Sequence, residues 1–583
     1  MAKIVYACVR DIADAVQIKR RIESFIHKLV PDNIPDARCK VVGNGHIIYG
    51  ISTHSPKIPE AGDSVCMGIV YDSPGKWWKP RTGHPEGTYA IFRADEDYVE
   101  AITDFACTRA IWYYKDDNIF VSGTSQRAVI NIVGRFELER RNIPWMLSSG
   151  ALAPSLSWCK NIHFLDPNGE LLLDRNTWEL TKRSVKAEFP LAKSPDAECE
   201  LNLKKSLLNS FSSLDIDLSK WILPLSGGYD SRAIACLLKE TGKDISRLES
   251  ITWGTRGSEK NKTADGYVGA VTAKSLGLPH KFLATDDVNE PVEKIFNRFI
   301  LCGEGRTDNI GGYSDGMNIW KNIFESGKYG IIRGDETFGM FPSKNFSRGR
   351  LLAGCHLCSD FSNLENYEQY GFEKQVLPDY LKEDPANDTP GLYRDKLYQE
   401  FRMPVTMSAL SDIKYAYTEV LNPFLTGKIV KQSRTLPDHL RNDKVLFKKI
   451  IDEISPKIPY AIEQSTNVDI LKTAPAIKIL SNEMSLDYMK ELFPEEFLNK
   501  IITKLQRPPA PLKKDLAEKL KAVLSRNLPV AVKDLFKKGM PKPAVDTGVL
   551  AFRIYITGKM YKMFLDDIKQ GHEMNNQRLL KMK

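Results

Sequence analysis

WILPLSGGYDSRAIACLLKETG, residues 221–242, is the stretch around which the chain is organised. A short apolar run, Trp221–Leu225, breaks at a turn that contains Gly227 and Gly228 and continues into an apolar segment ending at Gly242. This order predicts a strand, a glycine turn and a helix. The two glycines let a ligand approach the backbone closely, and the helix that follows directs free N–H groups at the same point. The stretch therefore predicts an anion-binding turn.

Asp230 follows the two glycines of this turn. A carboxylate repels phosphate unless a divalent cation lies between the two groups, so Asp230 indicates a nucleotide polyphosphate, such as that of ATP, bound together with Mg²⁺. We expect the nucleotide to contact the turn, the end of the next strand and the backbone after a later strand: Leu225, Ser226, Gly227, Gly228, Asp230, Ser231, Trp253, Gly254 and Gly334.

From about residue 191, longer helical segments alternate with short apolar runs, which predicts an α/β unit with a doubly wound, mostly parallel sheet. Further strands are predicted at 248–253, 279–284 and 329–333, and helices at 263–275, 288–301 and 316–324. The strand at 329–333 leads directly to Gly334, Asp335 and Glu336. Because the carboxyl ends of parallel strands line the ligand crevice, we expect Asp335 to face the same pocket as Asp230 and to share the metal with it.

Residues 1–190 are rich in short strand candidates separated by turn signals, which predicts antiparallel layers. The candidates are 3–9, 46–52, 64–71, 87–93, 98–103, 110–115 and 118–122, with one amphipathic helix at 12–29. After about residue 455 the chain is helical and rich in lysine and leucine, with prolines at 508, 509 and 511. We expect this part to form a helical layer over the domain that begins at residue 191.

Composition excludes several classes of protein. The chain has 583 residues, enough for two or three domains, and a net charge of +8 that demands no nucleic acid. It has no apolar run of membrane length and no signal-peptide pattern at its start, so we expect a cytoplasmic protein without a membrane. Ten cysteines lack framework spacing, which favours reduced thiols. Cys355 and Cys358 could form a zinc or redox site, but ordinary thiols are favoured without a second pair.

The pairing of Ser-Gly-Gly-x-Asp-Ser with a later Gly-Asp-Glu-x-Phe-Gly resembles the synthetase half of the asparagine synthetase superfamily. These PP-loop ATP pyrophosphatases activate a carboxylate as its acyl-adenylate and release pyrophosphate. EVLNPFL at 419–425 is similar to the family's Glu-x-Arg-x-Pro-Phe-Leu stretch, with Leu421 where arginine is usual. In this register Lys444 falls on the family lysine that stabilises negative charge at the acyl centre, whereas Lys448 and Lys449 form a solvated helix face.

The order of strands from Gly87 to Ile130 looks like the glutaminase half of class II amidotransferases, which implies an Ntn-like αββα sandwich. Those glutaminases use an N-terminal cysteine whose own α-amino group acts as base, so thiol and amine must belong to one residue. Position 2 is Ala2, and Cys8 lies inside a strand candidate. We therefore expect a domain that keeps the fold and has lost glutamine hydrolysis.

The resemblance implies that Lys444, Arg333 and Glu336 take part in catalysis. Ile332 stands where relatives have a glutamate or a tyrosine of the base, which leaves the base unassigned. Arg333 could bind phosphate or a substrate carboxylate, or could be part of the scaffold, and the same alternatives hold for Arg232. In the glycine-rich loop 303–308, the acidic side chains could face the substrate: Glu304 and Asp308.

Lasso peptide cyclases and β-lactam synthetases have the same two-part layout with an inactive front domain. We therefore expect an ATP-dependent, AMP-forming enzyme that couples a carboxylate to an amine of a small molecule or peptide. A leader-peptide-binding protein or a protease could be a partner in the lasso case. The alternatives are an asparagine synthetase-type amidotransferase that uses free ammonia, a PP-loop enzyme that modifies nucleic acid, and a binding protein with an inactive synthetase fold. Ala2 argues against glutamine as the nitrogen source, and Asp230, Asp335 and Lys444 argue against an inactive fold.

Overall fold

The computed structural model describes residues 2–55, 57–72, 76–190, 194–286, 288, 290–339, 355, 367–373, 375–463, 465, 469–507 and 545–582. Cys358 and the prolines at 508, 509 and 511 lie outside these ranges, as do the predictions that rest on them. The described residues form a mixed α/β protein, as the sequence predicts. A pair of antiparallel sheets comes first, and a parallel sheet with its helices follows.

Two antiparallel sheets of six strands make up the front of the molecule. The first sheet has the spatial order β10, β8, β9, β1, β3, β2, and the second has the order β12, β11, β7, β6, β5, β4. Their bounds are β1 Ile4–Val9, β2 Lys40–Asn44, β3 Ile47–Ile51, β4 Glu60–Ala61, β5 Ser64–Asp72, β6 Glu86–Ala94, β7 Tyr98–Thr103, β8 Ile111–Lys115, β9 Ile119–Gly123, β10 His163–Leu165, β11 Glu170–Asp174 and β12 Leu180–Arg183.

Strand β1 shows how the layers pack. Val5 and Ala7 face the helices on the outside of the first sheet, whereas Ile4 and Tyr6 pack against the second sheet. This alternation is the two-residue period of a strand that is buried on both faces. All seven predicted front strands correspond to observed strands. The very short β4, the polar-ended β2 and the strands β10 to β12 were not predicted, because they carry too few alternating apolar residues to stand out.

Sixteen α-helices lie in the described ranges. Their bounds are α1 Ile12–Phe25, α2 Gln126–Val133, α3 Asn142–Ser149, α4 Asp196–Ser212, α5 Tyr229–Glu240, α6 Asp265–Leu276, α7 Val292–Gly303, α8 Asn318–Glu325, α9 Pro390–Leu397, α10 Ser408–Tyr415, α11 Gly427–Thr435, α12 Asp438–Arg441, α13 Val445–Ile454, α14 Ala474–Met484, α15 Glu495–Gln506 and α16 Thr547–Met582. A π-helical segment, Tyr398–Met407, joins α9 to α10.

The parallel sheet has five strands: β13 Trp221–Pro224, β14 Glu249–Gly254, β15 His280–Ala284, β16 Gly330–Ile332 and β17 Glu419–Leu421. Their spatial order is β15, β14, β13, β16, β17, and every pairing is parallel. The order along the chain reverses between β13 and β16. In open α/β sheets the ligand crevice lies at this switch point, outside the carboxyl ends of the strands.

Helices cover both faces of the parallel sheet. Leu223 and Ile332 pack into a core with α4, α5 and α13, whereas Ile222 and Ile331 pack into a core with α7, α8 and α10. The sheet is therefore doubly wound, as predicted. Because both faces are covered, the carboxyl edge of the strands is the place left for a ligand.

The C-terminal helices pack differently from the expectation. Helix α16 contacts α2 and α3 of the front sandwich as well as α7, so this layer joins the front and the back of the molecule instead of covering the parallel-sheet part alone. Ring contacts fix it on both sides, with Phe564 against Phe136 at 4.8 Å and Phe552 against Phe296 at 4.9 Å. In the described ranges, no helix combines the length and the apolar character needed to cross a bilayer.

Candidate functional site

The glycine turn has one open side. Helix α5 begins at Tyr229 with Gly228 as its N-cap residue, and no side chain caps its first turn. A Cβ atom built on Gly228 would come within 4 Å of one atom, the Ser226 hydroxyl oxygen at 3.4 Å. Ser226 and Ser231 hold the turn by a contact of 3.2 Å between their hydroxyl oxygens. This side of the turn combines free space with the positive end of a helix, which suits an anion.

The opposite side of the turn is closed by packing. The Gly227 N–H donates to Asp265 Oδ1 at 2.9 Å, and a Cβ atom on Gly227 would lie 2.3 Å from that of Ala461. A Cβ atom built on Gly254, at the end of β14, would likewise lie 2.3 Å from the Cβ of Ser465. The Leu225 side chain is fully buried in the core. Leu225, Gly227 and Gly254 therefore contribute packing in this arrangement, and the nucleotide contact predicted for them stays a prediction.

Lys444 contacts two other residues that the sequence analysis singled out. Its ammonium nitrogen lies 2.9 Å from both carboxylate oxygens of Asp230 and 2.9 Å from Glu336 Oε1. The Lys444 side chain is 13% exposed and that of Glu336 is 3% exposed. These residues come from the first turn of α5, the segment after β16 and the residue before α13, so the fold brings together groups more than 100 positions apart in sequence.

The backbone at Lys444 is strained. Asp443 and Lys444 both have left-handed conformations, with φ of 55° and 57°. A non-glycine residue in this region costs on the order of 1–2 kcal/mol. Such strain persists only where the surroundings enforce it, and it concentrates at functional sites.

The charges of this group are not balanced. Two carboxylates share one ammonium, which leaves a net negative charge in a largely buried place. Burial raises the pKa of Asp230 and that of Glu336, while Lys444 acts in the opposite direction on both. Burial alone would lower the pKa of Lys444, but the two carboxylates outweigh it and raise the pKa. Lys444 is therefore charged, and the group favours one more cation.

Gly334 and Asp335 follow β16 at the switch point. A Cβ atom on Gly334 would lie 2.7 Å from the Cβ of Asp230, so the two motifs touch at this glycine. Asp335 accepts a hydrogen bond from the Arg333 Nε at 3.1 Å. Arg333 is thus paired with a carboxylate of its own strand end. Its side chain remains 30% exposed.

The donor set fits Mg²⁺ bound to a polyphosphate. No cluster of three or more metal-binding side chains occurs in the described ranges. Mg²⁺ in nucleotide sites takes one or two carboxylates together with phosphate oxygens, so a pair of aspartates is the expected protein share. Asp230 and Asp335 meet this requirement chemically, and the net negative charge around Lys444 favours the cation.

Lys414 is a residue of this region that the sequence did not single out. Its side chain is buried on α10 and donates to the Leu410 carbonyl at 2.5 Å, with the rings of Tyr313 and Trp320 at 5.6 and 5.7 Å. Burial, with Arg333 adding to it, lowers the pKa of Lys414 well below its ordinary value. A lysine within a helical pattern gives no sequence signal of this environment.

Several predicted contacts lie elsewhere. Glu304 is fully buried, where it accepts from Lys3 at 2.8 Å and from Ser125, so it faces the front sandwich and not a substrate. Asp308 pairs with Arg553 of α16 at 2.7 Å. Both acids serve the contact between front and back, because buried carboxylates require such partners.

Two further side chains singled out in the sequence contact other groups of the protein. Arg232 is 1% exposed and donates to the carbonyls of Ile458 and Pro459, so the scaffold alternative holds for it. Trp253 stands at the end of β14 with its ring 5.7 Å from that of Trp320.

Two residues that the sequence analysis compared with the glutaminase nucleophile are buried. Ala2 is 1% exposed, and Cys8 is fully buried in β1, where burial raises its pKa to about 11. The side chain that replaces the family's base, Ile332, is also fully buried. Cys355 is buried, and its predicted partner lies outside the described residues.

Comparisons with known proteins add little. No family model matches the chain, and no curated protein sequence matches it significantly. Two similar solved structures are described as the allosteric regulatory enzyme of purine biosynthesis and as glutamine phosphoribosylpyrophosphate amidotransferase from B. subtilis complexed with ADP and GMP. Each covers 48% of this chain, and 80% and 65% of its own, at 11% identity and a TM-score of 0.20. We base no conclusion on a likeness at this level.

Proposed function

We propose that the protein is an ATP-dependent, AMP-forming ligase that adenylates a carboxylate and couples it to an amine. The observation that carries the proposal is the meeting of Asp230, Glu336 and Lys444 beside an open glycine turn at the switch point of a doubly wound sheet. A polyphosphate needs backbone N–H donors, a carboxylate pair for Mg²⁺ and a cation for the reacting phosphate. We assign these roles to the start of α5, to Asp230 with Asp335, and to Lys444.

The chain's own residues would act as follows. The N-terminus of α5 and the Ser226 hydroxyl bind the phosphates at the side of Gly228. Asp230 and Asp335 would hold Mg²⁺, and the bound ion would neutralise charge on the polyphosphate. Lys444 would offer its charge to the phosphate and to the acyl oxygen on which negative charge develops. Glu336 keeps the ammonium in place, since it holds Lys444 from its buried side.

The coupling step follows from the chemistry of the mixed anhydride. The carboxylate oxygen forms a bond to the α-phosphorus as pyrophosphate leaves, and the amine then forms the C–N bond as AMP leaves with the C–O bond electrons. The amine gives up a proton in that step, and the proton passes to solvent water. We propose a peptide as the substrate and a cytoplasmic location, because the sequence motifs resemble those of lasso peptide cyclases.

Exchange of labelled pyrophosphate into ATP tests the proposal. The assay uses pools of amino acids and of short peptides as carboxylates, with wild type, Asp230→Ala and the exposed control Asp244→Ala. We expect exchange with at least one pool in wild type and in the control, and none in Asp230→Ala. Product analysis separates coupling to a peptide amine from amidation by added ammonium. If Asp230→Ala exchanges pyrophosphate into ATP as fast as wild type does, the assignment of Asp230 to the nucleotide site is wrong.

A further inference from the structure

A segment that no motif identified lies across the glycine turn. We define the strap as residues 458–463 together with Ser465. Ala461 N–H donates to the Gly227 carbonyl at 3.0 Å, and Ser465 lies against Gly254. The Ser465 hydroxyl accepts from the Gly266 N–H at 2.8 Å. The strap therefore spans the carboxyl ends of β13 and β14, beside the place proposed for the nucleotide.

The strap is fastened to the helix that follows the turn. The Tyr460 ring stacks on that of Tyr229 with centroids 3.6 Å apart, and the Arg232 guanidinium covers it at 3.9 Å. Arg232 also donates to two strap carbonyls, at 2.7 and 3.3 Å. The Tyr460 hydroxyl donates to Asp452 at 2.8 Å. An aromatic ring held between a guanidinium and a second ring is a rigid anchor, so Tyr460 fixes the position of Ala461.

The bond from Ala461 determines the direction of a phosphate donor. The Gly227 carbonyl and the Gly228 N–H belong to one planar trans peptide unit, so they point in opposite directions. With the carbonyl held towards the strap, the N–H is directed to the open side of the turn, where it donates to the Ser226 hydroxyl at 3.2 Å. The strap thus determines which group of this peptide unit an anion meets.

Without the hydrogen bond from the strap, the peptide unit between Gly227 and Gly228 could rotate. Rotation of the peptide unit by half a turn changes ψ of Gly227 and φ of Gly228, and glycine accepts both signs of φ at little cost. The rotated unit would present a carbonyl oxygen to a phosphate, which repels it. A turn with two adjacent glycines therefore needs an outside contact to keep its donor in place.

We propose that the strap positions the nucleotide-binding turn, and that Tyr460 is its positioning residue: the stacked Tyr460 holds Ala461 against the Gly227 carbonyl so that the Gly228 N–H faces the phosphates. This inference rests on the proposed function, because it assigns a phosphate to the open side of the turn. It deepens that function by naming a device, distant in sequence from the turn, on which phosphate affinity depends.

The test measures binding of Mg·ATP and of Mg·pyrophosphate by calorimetry at 10 °C in three variants. Tyr460→Ala removes the anchor, Tyr460→Phe keeps the ring, and Ile462→Ser changes a strap side chain that is 82% exposed. Loss of one N–H bond to a charged acceptor predicts a roughly 10- to 150-fold weaker affinity of Tyr460→Ala for both ligands. Tyr460→Phe and Ile462→Ser should stay within about threefold of wild type.

Thermal unfolding is measured beside the binding. A purely structural role of Tyr460 would lower the melting temperature and leave affinity at 10 °C unchanged, and that result would overturn the proposal. An equal loss in Ile462→Ser would overturn it as well. If Tyr460→Ala does not fold, Tyr460→Leu takes its place. Binding of neither ligand by wild type would refute the proposed function itself, whereas equal binding by wild type and Tyr460→Ala would refute the role of the strap alone.

Discussion

Replacing Lys444 by methionine removes the one ammonium that two carboxylates share. Glu336, with its side chain 3% exposed, would lose the ammonium and keep a buried negative charge with the Phe338 N–H as its donor, and breaking such an ion pair costs about 3–5 kcal/mol. Asp230 is 33% exposed, so solvent screens its loss and the added cost is at most about 1 kcal/mol. We therefore expect Lys444→Met to destabilise the region around α13 by about 4 kcal/mol.

Native-state hydrogen exchange of α13 amides, read by mass spectrometry, measures this change locally. A loss of about 4 kcal/mol corresponds to exchange about 10³-fold faster. Lys449→Met is the matched control, because Lys449 lies on the same helix, is 59% exposed and pairs with Glu200, so it should change exchange by less than about fivefold.

A second substitution isolates the charge. In Lys444→Met with Glu336→Gln the uncompensated carboxylate is gone, so the double variant should be more stable than Lys444→Met alone by about 2 kcal/mol. If Lys444→Met exchanges no faster than Lys449→Met, or if the two substitutions simply add, Lys444 is a solvated lysine and the reasoning about its site is wrong.

Three other predictions concern groups away from the turn. Folding lowers the pKa of Lys414, so between the lowered pKa and the ordinary lysine pKa of about 10.4 the unfolded protein binds a proton that the folded protein lacks, and the stability of the fold rises with pH. Lys414→Met should melt at a higher temperature than wild type at pH 7 and lose part of this rise. An unchanged dependence of stability on pH in Lys414→Met would contradict the prediction. Lys3→Met leaves Glu304 charged and buried, and calorimetry should show a loss of about 3–5 kcal/mol, against a negligible change in the exposed control Lys160→Met. Since Cys8 is fully buried inside β1, glutamate release from glutamine should stay at the rate without protein, and substantial turnover would disprove the expected loss of hydrolysis.

Local signals in the sequence predicted much of the architecture. The run Trp221–Leu225 and the two glycines after it define a strand and turn that the structure reproduces, with β13 at Trp221–Pro224 and α5 starting at Tyr229. Asp230 and Asp335 were expected at one edge because parallel strands end together, and the contact of Gly334 with Asp230 agrees with that reasoning. Periodicity and turn chemistry are short-range properties, so they are visible in one sequence.

The remaining parts depend on long-range packing. Nothing around Glu304 reveals that Lys3, about 300 residues earlier, lies 2.8 Å from it, and its glycine-rich loop resembles a substrate loop in sequence alone. The strap is irregular and follows no period, yet Ala461 and Ser465 close one side of the turn. Lys414 differs from a surface lysine through its burial, to which the rings of Tyr313 and Trp320 on other elements contribute. Contacts of this kind follow from the assembled fold and leave no local pattern.

A crystal structure with Mg²⁺ and α,β-methylene-ATP tests the central claim most directly. The account predicts phosphate oxygens at the open side of the turn beside Gly228 and the N-terminus of α5, with the metal between Asp230 and Asp335. Lys444 should leave Asp230, now 2.9 Å away, and remain on Glu336. A nucleotide bound elsewhere, or at the turn with Lys444 still on Asp230 and no metal between the aspartates, would contradict the account.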